Sequence, residues 1–292
     1  MKTLTLICFL FLGLAFQGMA EEWVATTLNT YWYMDARPGQ VGDPPRSIEE
    51  KNEKTQNLTR LLVEAARAHP IGIVGLQEIG SKEDGDALAS ALSKATNQEF
   101  VSLFAKGRDT YTGQNVGALL NLSSGWKVVG QPGRSSELEK AISKHLTFTI
   151  EKNHVRLHVV EVHLRVPRNK EAKAARQNQI RAILQYAHRF LKEENSNLII
   201  MGDFNEPARP GSDDSDLNIL TENGMEDAAD ALTGLMYTHA KTKRTLDRMI
   251  ISPALRQGLN HLKVGAIWIT PHELPPRPTT DHFPLSMLVR ED

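Results

Sequence analysis

With 292 residues, 24% charged and 40% hydrophobic, the chain is long enough to bury one large core or two small ones. Its 34 basic and 35 acidic residues nearly cancel, which excludes a global basic field for nucleic acid, though not a local patch. Cys8 is the only cysteine, so a disulfide scaffold is excluded, and its place in an apolar N-terminal leader leaves the rest of the chain without thiolate chemistry.

The first twenty residues, MKTLTLICFLFLGLAFQGMA, hold one Lys, an apolar run from Leu6 to Phe16, and small residues at Gly18 and Ala20. This pattern predicts a secretory signal cleaved near Ala20–Glu21, because a membrane span needs about 20 apolar residues. The mature chain, 21–292, would then be secreted or periplasmic and free of cysteine, with 33 basic residues against 35 acidic. No later segment is apolar enough to cross a bilayer. No repeat, low-complexity tract or interdomain linker interrupts the chain, so a single domain acting as a monomer is expected.

WVATTLN (23–29) reads as the first strand, followed by DARPGQVGDPPR (35–46), a loop with three Pro and two Gly. A helix follows over about 47–69, with Leu58, Leu61, Leu62 and Ala65 at helical spacing. Short β-branched strands come next: IGIVGLQ (71–77), GALLNL (117–122), LTFTIE (146–151) and VRLHVVEV (155–162). A second helix spans about 170–192, with Ile180, Ile183, Leu184, Ala187 and Leu191 on one stripe. LIIMGD (198–203), RMIIS (248–252), GAIWIT (265–270) and PLSMLV (284–289) complete the strands. Many strands, two long helices and no strict βαβ alternation predict an α+β layered sandwich.

Polar residues gather where these strands stop. Asn29 and Glu78 each end a strand, His163 follows one, and Asp203 and Asn205 close the apolar run of LIIMGDFNEP. With a side-chain period of two, Asp203 and Asn205 are expected on one side. Asp247 opens RMIIS, and Asp281 and His282 precede the last strand. Singly, each has a plain reading: a solvated loop acid for Glu78, a core imidazole for His163, a turn residue for Asp281. Together they suit metal-assisted phosphoester hydrolysis. Glu78 and Asp281 are hard oxygen ligands for Mg²⁺ or Mn²⁺, while zinc is disfavoured without Cys or an H-x-x-x-H pair. Asp203 would take a proton from water, with Asn29 and Asn205 positioning it. His282, oriented by Asp247, and His163 would donate to phosphate.

In this order, GLQEI, EVHLR, MGDFNEP, LDRMIIS and TTDHFP resemble the motifs of the endonuclease/exonuclease/phosphatase superfamily, the fold of deoxyribonuclease I. The resemblance spans nearly the whole mature chain. It implies a four-layered α/β sandwich, two central mostly antiparallel sheets flanked by helices, with the site at one edge. It also implies Glu78 as principal metal ligand, Asp203 as base and Asp247–His282 as a dyad. The VHL version at His163 is similar to the deoxyribonuclease I-like and sphingomyelinase-like branches. Two departures stand out. Tyr31 occupies a position where some members carry an acid, and Gln114 is the nearest counterpart of a Glu that pairs with the His in some deoxyribonucleases. Asn115 beside it is a further candidate for phosphate contact.

RVPRNKEAKAARQNQIR, after His163, is locally basic. Arg165 and Arg168 precede the helix and are candidates to grip successive backbone phosphates; Lys173, Arg176 and Arg181 read better as a solvated helix face. Tyr31, Trp32 and Tyr33 would stack on bases or line a pocket, with Trp32 equally suited to the core. The expected activity is that of a Mg²⁺-dependent phosphodiesterase on DNA or RNA. The alternatives are a phospholipid or inositol-phosphate phosphoesterase, and a catalytically silent binding module.

Overall fold

The computed structural model describes residues 21–35, 42, 44–192, 196–209, 211–273 and 279–291. The leader and most of the loop expected over 35–46 lie outside the described residues.

β1 (Glu21–Tyr33) leads through α1 (Ile48–Ala65) to β2 (Ile71–Ile79), which lies parallel to β1. Ser47 starts α1: its hydroxyl accepts from the Glu50 N–H, and Glu49 and Glu50 sit where the helix dipole favours acids. α2 (Lys82–Thr96), β3 (Phe100–Ala105) and β4 (Asn115–Asn121) follow. The second half begins with β5 (Lys127–Gly133), the single turn α3 (Ser136–Glu139), β6 (His145–Lys152) and β7 (Val155–His163). α4 (Lys170–Leu191) then crosses to β8 (Asn197–Asp203). After α5 (Asn218–Thr221), β9 (Glu226–Asp227), β10 (Asp247–Ile251) and α6 (Pro253–Gln257), the strands β11 (Leu262–Ile269) and β12 (Leu285–Glu291) return to the first sheet.

Two six-stranded sheets result, ordered β11-β12-β1-β2-β4-β3 and β5-β6-β7-β8-β10-β9. Each has one parallel pair, β1/β2 and β7/β8, and the remaining pairs are antiparallel. The parallel pairs are the two joined by long helices, since a parallel return needs a crossover. Trp23, Ile73, Phe148, Val159, Ile199 and Met249 fill the space between the sheets. On the outer face of the first sheet, Leu58 and Leu62 of α1 and Leu88 and Leu92 of α2 pack with Val74, Leu76 and Leu119. Ile180, Ile183 and Ala187 of α4 cover Val160, Leu198 and Ile200 on the second. Strands covered on both faces explain the continuous apolar runs. The expected α+β sandwich is the observed one. Among the described residues, no helix is long and apolar enough to cross a membrane.

Seven of these elements were not expected from the sequence: α2, β3, β5, α3, α5, β9 and α6. α2 buries a thin stripe of Gly85, Leu88, Ala89 and Leu92, too small to stand out in KEDGDALASALSKAT. β5 is mostly surface edge, with Gly and Pro in it, and β9 has two residues.

One acid lies inside the inter-sheet core. Glu161 of β7 is fully buried and accepts a hydrogen bond from Gln77 Nε2, which also donates to Thr27 Oγ1 at 2.9 Å. Burial, with the charges of Asp247 and Asp203 behind it, holds the Glu161 carboxyl well above the usual carboxylate range. Gly202 makes room on one side. A Cβ there would lie 2.0 Å from the Val162 carbonyl oxygen and 2.9 Å from Glu161 Oε1, and its φ of +139° suits only glycine. Gly202→Ala is therefore expected to destabilise the protein by about 3 kcal/mol, the upper end of overpacking penalties. Denaturant titration checks this; a variant as stable as wild type would show that β7 and β8 can separate here without cost.

Candidate active site

The C-terminal ends of β1 and β2 approach the ends of β7 and β8 at one edge of the sandwich. Asn29 and Gln77 are register partners and face the same side, toward the second sheet. In a regular strand Glu78 would then turn away, toward the helices. It does not, because the pairing shifts between Gln77 and Ile79 and Glu78 adopts φ +63°. Tyr31 and Trp32, at φ +48° and +57°, bulge the facing end of β1 in the same way. Such backbone costs about 1–3 kcal/mol per residue and persists where neighbours enforce it. Here the enforcing contacts are explicit. Asn29 Nδ2 donates to Glu78 Oε1 at 3.1 Å and to Asp203 Oδ2 at 3.0 Å, and the Trp32 N–H donates to Glu78 Oε2 at 3.0 Å. One amide thus ties together carboxylates from both sheets.

Asp203 ends β8 opposite Asp247 and beside His163 in register. The expectation that Asn205 follows by strand alternation needs correction. β8 stops at Asp203 and Asn205 sits at φ +49°, in a turn. Its N–H donates to Asp203 Oδ1 at 2.8 Å, while its side-chain amide donates to the Leu164 carbonyl at 3.0 Å. Asn205 braces the Asp203 carboxylate through a local turn.

His282 Nδ1 lies 2.7 Å from Asp247 Oδ2, and its Nε2 is 3.9 Å from Asp203 Oδ2. Burial works against a charge on His282, but the charge and hydrogen bond of Asp247, with Asp203 and Asp281 behind, hold its pKa up at about 10. The ring is an imidazolium with Nδ1–H on Asp247 and Nε2–H toward the cleft. Burial, and then the Asp247 charge, push Asp203 up to about 7. Burial also raises Glu78, against the pull of Asn29, Lys144 and His282. His163 Nε2 is 3.6 Å from Asp203 Oδ2 and its Nδ1 has no partner. Burial, then the charges of Lys144 and His282, keep His163 well below the ordinary histidine range and so neutral. Gln114 does not orient it, since Gln114 Oε1 instead accepts from Lys144 Nζ at 3.3 Å.

Asp281 adjoins this group through Thr280, whose hydroxyl donates to the Asn29 carbonyl. Its Oδ2 lies 3.4 Å from Lys241 Nζ and 3.6 Å from His239 Nε2. His239, Lys241 and Lys144 were invisible as site residues in the sequence. His239 lies in YTHAKTK, which has no strand or helix period, and only the fold sets its ring edge-on to His282 at 4.8 Å.

Other candidates fall elsewhere. Asn115 is corrected: both its N–H groups are used, on the Gly80 and Gly113 carbonyls at 2.8 and 3.1 Å, so none remains for a phosphate. Arg176 does not lie on a solvated face. It is 1% exposed, ion-paired with Asp216 and bonded to the Asn205 carbonyl, and so anchors the turn after β8. Arg165 and Arg168 are exposed just beyond His163.

The chemistry of the donors fits a divalent cation. Glu78, Asp203, Asp247 and Asp281 crowd around few cations, each Glu78 oxygen accepts one hydrogen bond, and Asp247 Oδ1 is buried without a partner. Ligand atoms of Asp203–Asp247–His282 and of His239–Asp281–His282 lie within 4.8 Å of one another. The imidazoles are nevertheless poor ligands. His282 is protonated on both nitrogens, and His239 Nδ1 accepts the Thr242 N–H at 3.0 Å, which leaves its proton on Nε2. Carboxylate oxygens are the available donors, as hard cations prefer.

No protein family matches the chain by sequence profile, and no curated protein matches it. Solved structures do. The human Nocturnin catalytic domain with bound sulfate anion is 18% identical, with a TM-score of 0.61 over 94% of this chain and 96% of that one. TDP2 of D. rerio complexed with single strand DNA product is 16% identical, with a TM-score of 0.60 over 92% and 98%. An endonuclease/exonuclease/phosphatase family protein from Bacteroides thetaiotaomicron is 13% identical, with a TM-score of 0.59 over 94% and 99%. The two helix-flanked sheets and these matches give one result: the chain shares the fold of these structures, a deoxyribonuclease I-like two-sheet sandwich.

Proposed function

We propose that the protein is an exported, Mg²⁺-dependent phosphodiesterase that hydrolyses nucleic acid. The observation that carries this reading is the Asn29 bridge between Glu78 and Asp203, with the His282 imidazolium facing Asp203. A phosphoryl group in front of them would meet the positive donor and the base side by side. Glu78, with Asp281, would hold the metal, which when bound supplies charge neutralisation for the phosphoryl oxygens. Asp203, at about 7, is matched to accept a proton from water near neutral pH. Asn29 and the Asn205 N–H hold its carboxylate in place. As the water oxygen bonds to phosphorus and the ester P–O bond breaks, His282 Nε2–H stabilises the growing charge on a phosphoryl oxygen. The complex of the D. rerio TDP2 structure with single strand DNA product supports a nucleic-acid substrate.

The test is to incubate the mature protein with plasmid, RNA, sphingomyelin and inositol phosphates, with and without EDTA. Cleavage of DNA or RNA that EDTA abolishes and Mg²⁺ restores is expected. Glu78→Gln should need much higher Mg²⁺ for the same rate. Full wild-type activity in EDTA would exclude the metal, and turnover confined to lipid or inositol phosphate would reassign the substrate. N-terminal sequencing of the exported protein should begin at Glu21.

Arg165→Ala and Arg168→Ala are expected to act on polymer binding. Each lost phosphate contact should reduce the slope of log K against log salt by about 1 or less, depending on strandedness. Binding isotherms at several salt concentrations check this. Unchanged slopes would mean that the polymer runs along another side of the site.

A further inference from the structure

A cavity of about 580 Å³ lies between the segment after Asn205 and the hairpin before Asp247. Pro207, Ala208 and Arg209 form one wall; Tyr237, Lys243 and Arg244 form the other. Three cations line it and no acid does. This contrasts with the buried arginines nearby, each of which has an acid: Arg176 with Asp216, Arg248 with Asp227. Among the described residues, neither the Arg209 nor the Arg244 guanidinium meets a carboxylate. Lys243 lies over the Tyr237 ring at 4.5 Å, with Nζ 3.1 Å from its hydroxyl. That holds the ammonium at the wall without neutralising it.

Both walls are built against the dyad. Arg248, next to Asp247, donates to the Ala208 carbonyl at 2.7 Å. The Thr238 hydroxyl accepts the Asp247 N–H at 3.1 Å, and the Thr238 and His239 N–H groups share the Arg244 carbonyl at 3.0 and 2.9 Å. Tyr237 packs against Phe283, the neighbour of His282, at 5.7 Å. The His239 backbone pairs with both Arg244 and His282, so one residue joins the cavity's arginine to the dyad. Guanidiniums present planar forks of donors that match phosphate oxygens.

The geometry points to this cavity as a subsite for a second phosphate of the substrate, next to the one being hydrolysed. The inference rests on the phosphodiesterase reading. It adds that good substrates carry at least two phosphates, whether in a nucleic-acid backbone or in a polyphosphorylated small molecule. Arg209 and Arg244 would grip the second phosphate, and Lys243 would add charge.

The experiment compares kcat/KM for thymidine dinucleotides with and without an added 5′- or 3′-phosphate, and for inositol bisphosphates against monophosphates. Wild type should prefer the second phosphate by roughly tenfold to a hundredfold in at least one series, mainly through KM. The series that shows it identifies the source. The R209A/R244A double variant should bring that preference close to parity while turning over bis(p-nitrophenyl) phosphate at the wild-type rate. Both residues are on the surface, so the variant should fold. No preference in wild type, or a preference that survives in the variant, would overturn the subsite. If wild type hydrolyses no phosphate ester with any divalent cation, the phosphodiesterase reading fails separately. The cavity is then decided by calorimetry with inorganic pyrophosphate, where binding lost in R209A/R244A supports an anion site and equal or absent binding overturns it.

Discussion

Asp203→Asn is expected to lower kcat by about 10²- to 10⁴-fold, the usual range for a lost general base. The wild-type profile should show an acid limb, because Asp203 must be ionised to accept a proton; its carboxyl is pushed up to about 7 in the metal-free protein, and bound Mg²⁺ shifts the limb to lower pH. The variant should lack that limb. Its stability should move the other way. A buried acid whose pKa is raised in the fold binds its proton more tightly folded than unfolded. Between 3.8 and about 7, rising pH therefore removes stability from the metal-free protein. Asp203→Asn abolishes this dependence, so in EDTA at pH 8 the variant should be at least as stable as wild type. Denaturant titration across pH, beside single-turnover rates, checks both halves. Lost activity with an equal loss of stability would recast Asp203 as a structural residue.

The second large effect is expected at Asp247 and His282, which should behave as one unit. Without Asp247, the imidazole loses its orientation and the charge that keeps it protonated; without His282, Asp247 has nothing to orient. Each Ala variant should cost about the same in kcat/KM, and the double variant little more, since groups acting together are strongly non-additive. The alkaline limb adds a separate signature. His282 stays protonated to about 10 in wild type, so activity should persist until pH approaches that value. In Asp247→Asn the limb should move toward lower pH, and in His282→Ala it should vanish. A raised histidine pKa gives stability that is fully present below 6.5 and lost as pH rises through about 10. His282→Ala should flatten the stability profile in that window. Effects that multiply independently, or an unmoved alkaline limb in Asp247→Asn, would dissolve the dyad.

The sequence by itself determined the strands that are continuous apolar runs and the ends at which those runs stop, but not β3, β5 or β9. Apolar runs such as IGIVGLQ and LIIMGD are legible because strands covered on both faces must be apolar throughout, and a polar residue at the end marks the sheet edge. Asn29, Glu78, Asp203, Asp247 and His282 were legible for that reason. The register between strands, and the turns that break it, belong to the tertiary structure. Asn29 and Asp203 are 174 residues apart, and only the stacking of two sheets joins them. Glu78 reaches Asn29 because its backbone leaves the strand conformation, which a period of two cannot foresee. For the same reason Asn205 belongs to a turn, and Asn115 spends its amide on loop carbonyls. His239, Lys144 and Glu161 matter through charge and burial, and neither exists until the sheets close around them. A local pattern sets which side of its own element a residue faces; what stands opposite, and at what pKa, is decided by packing.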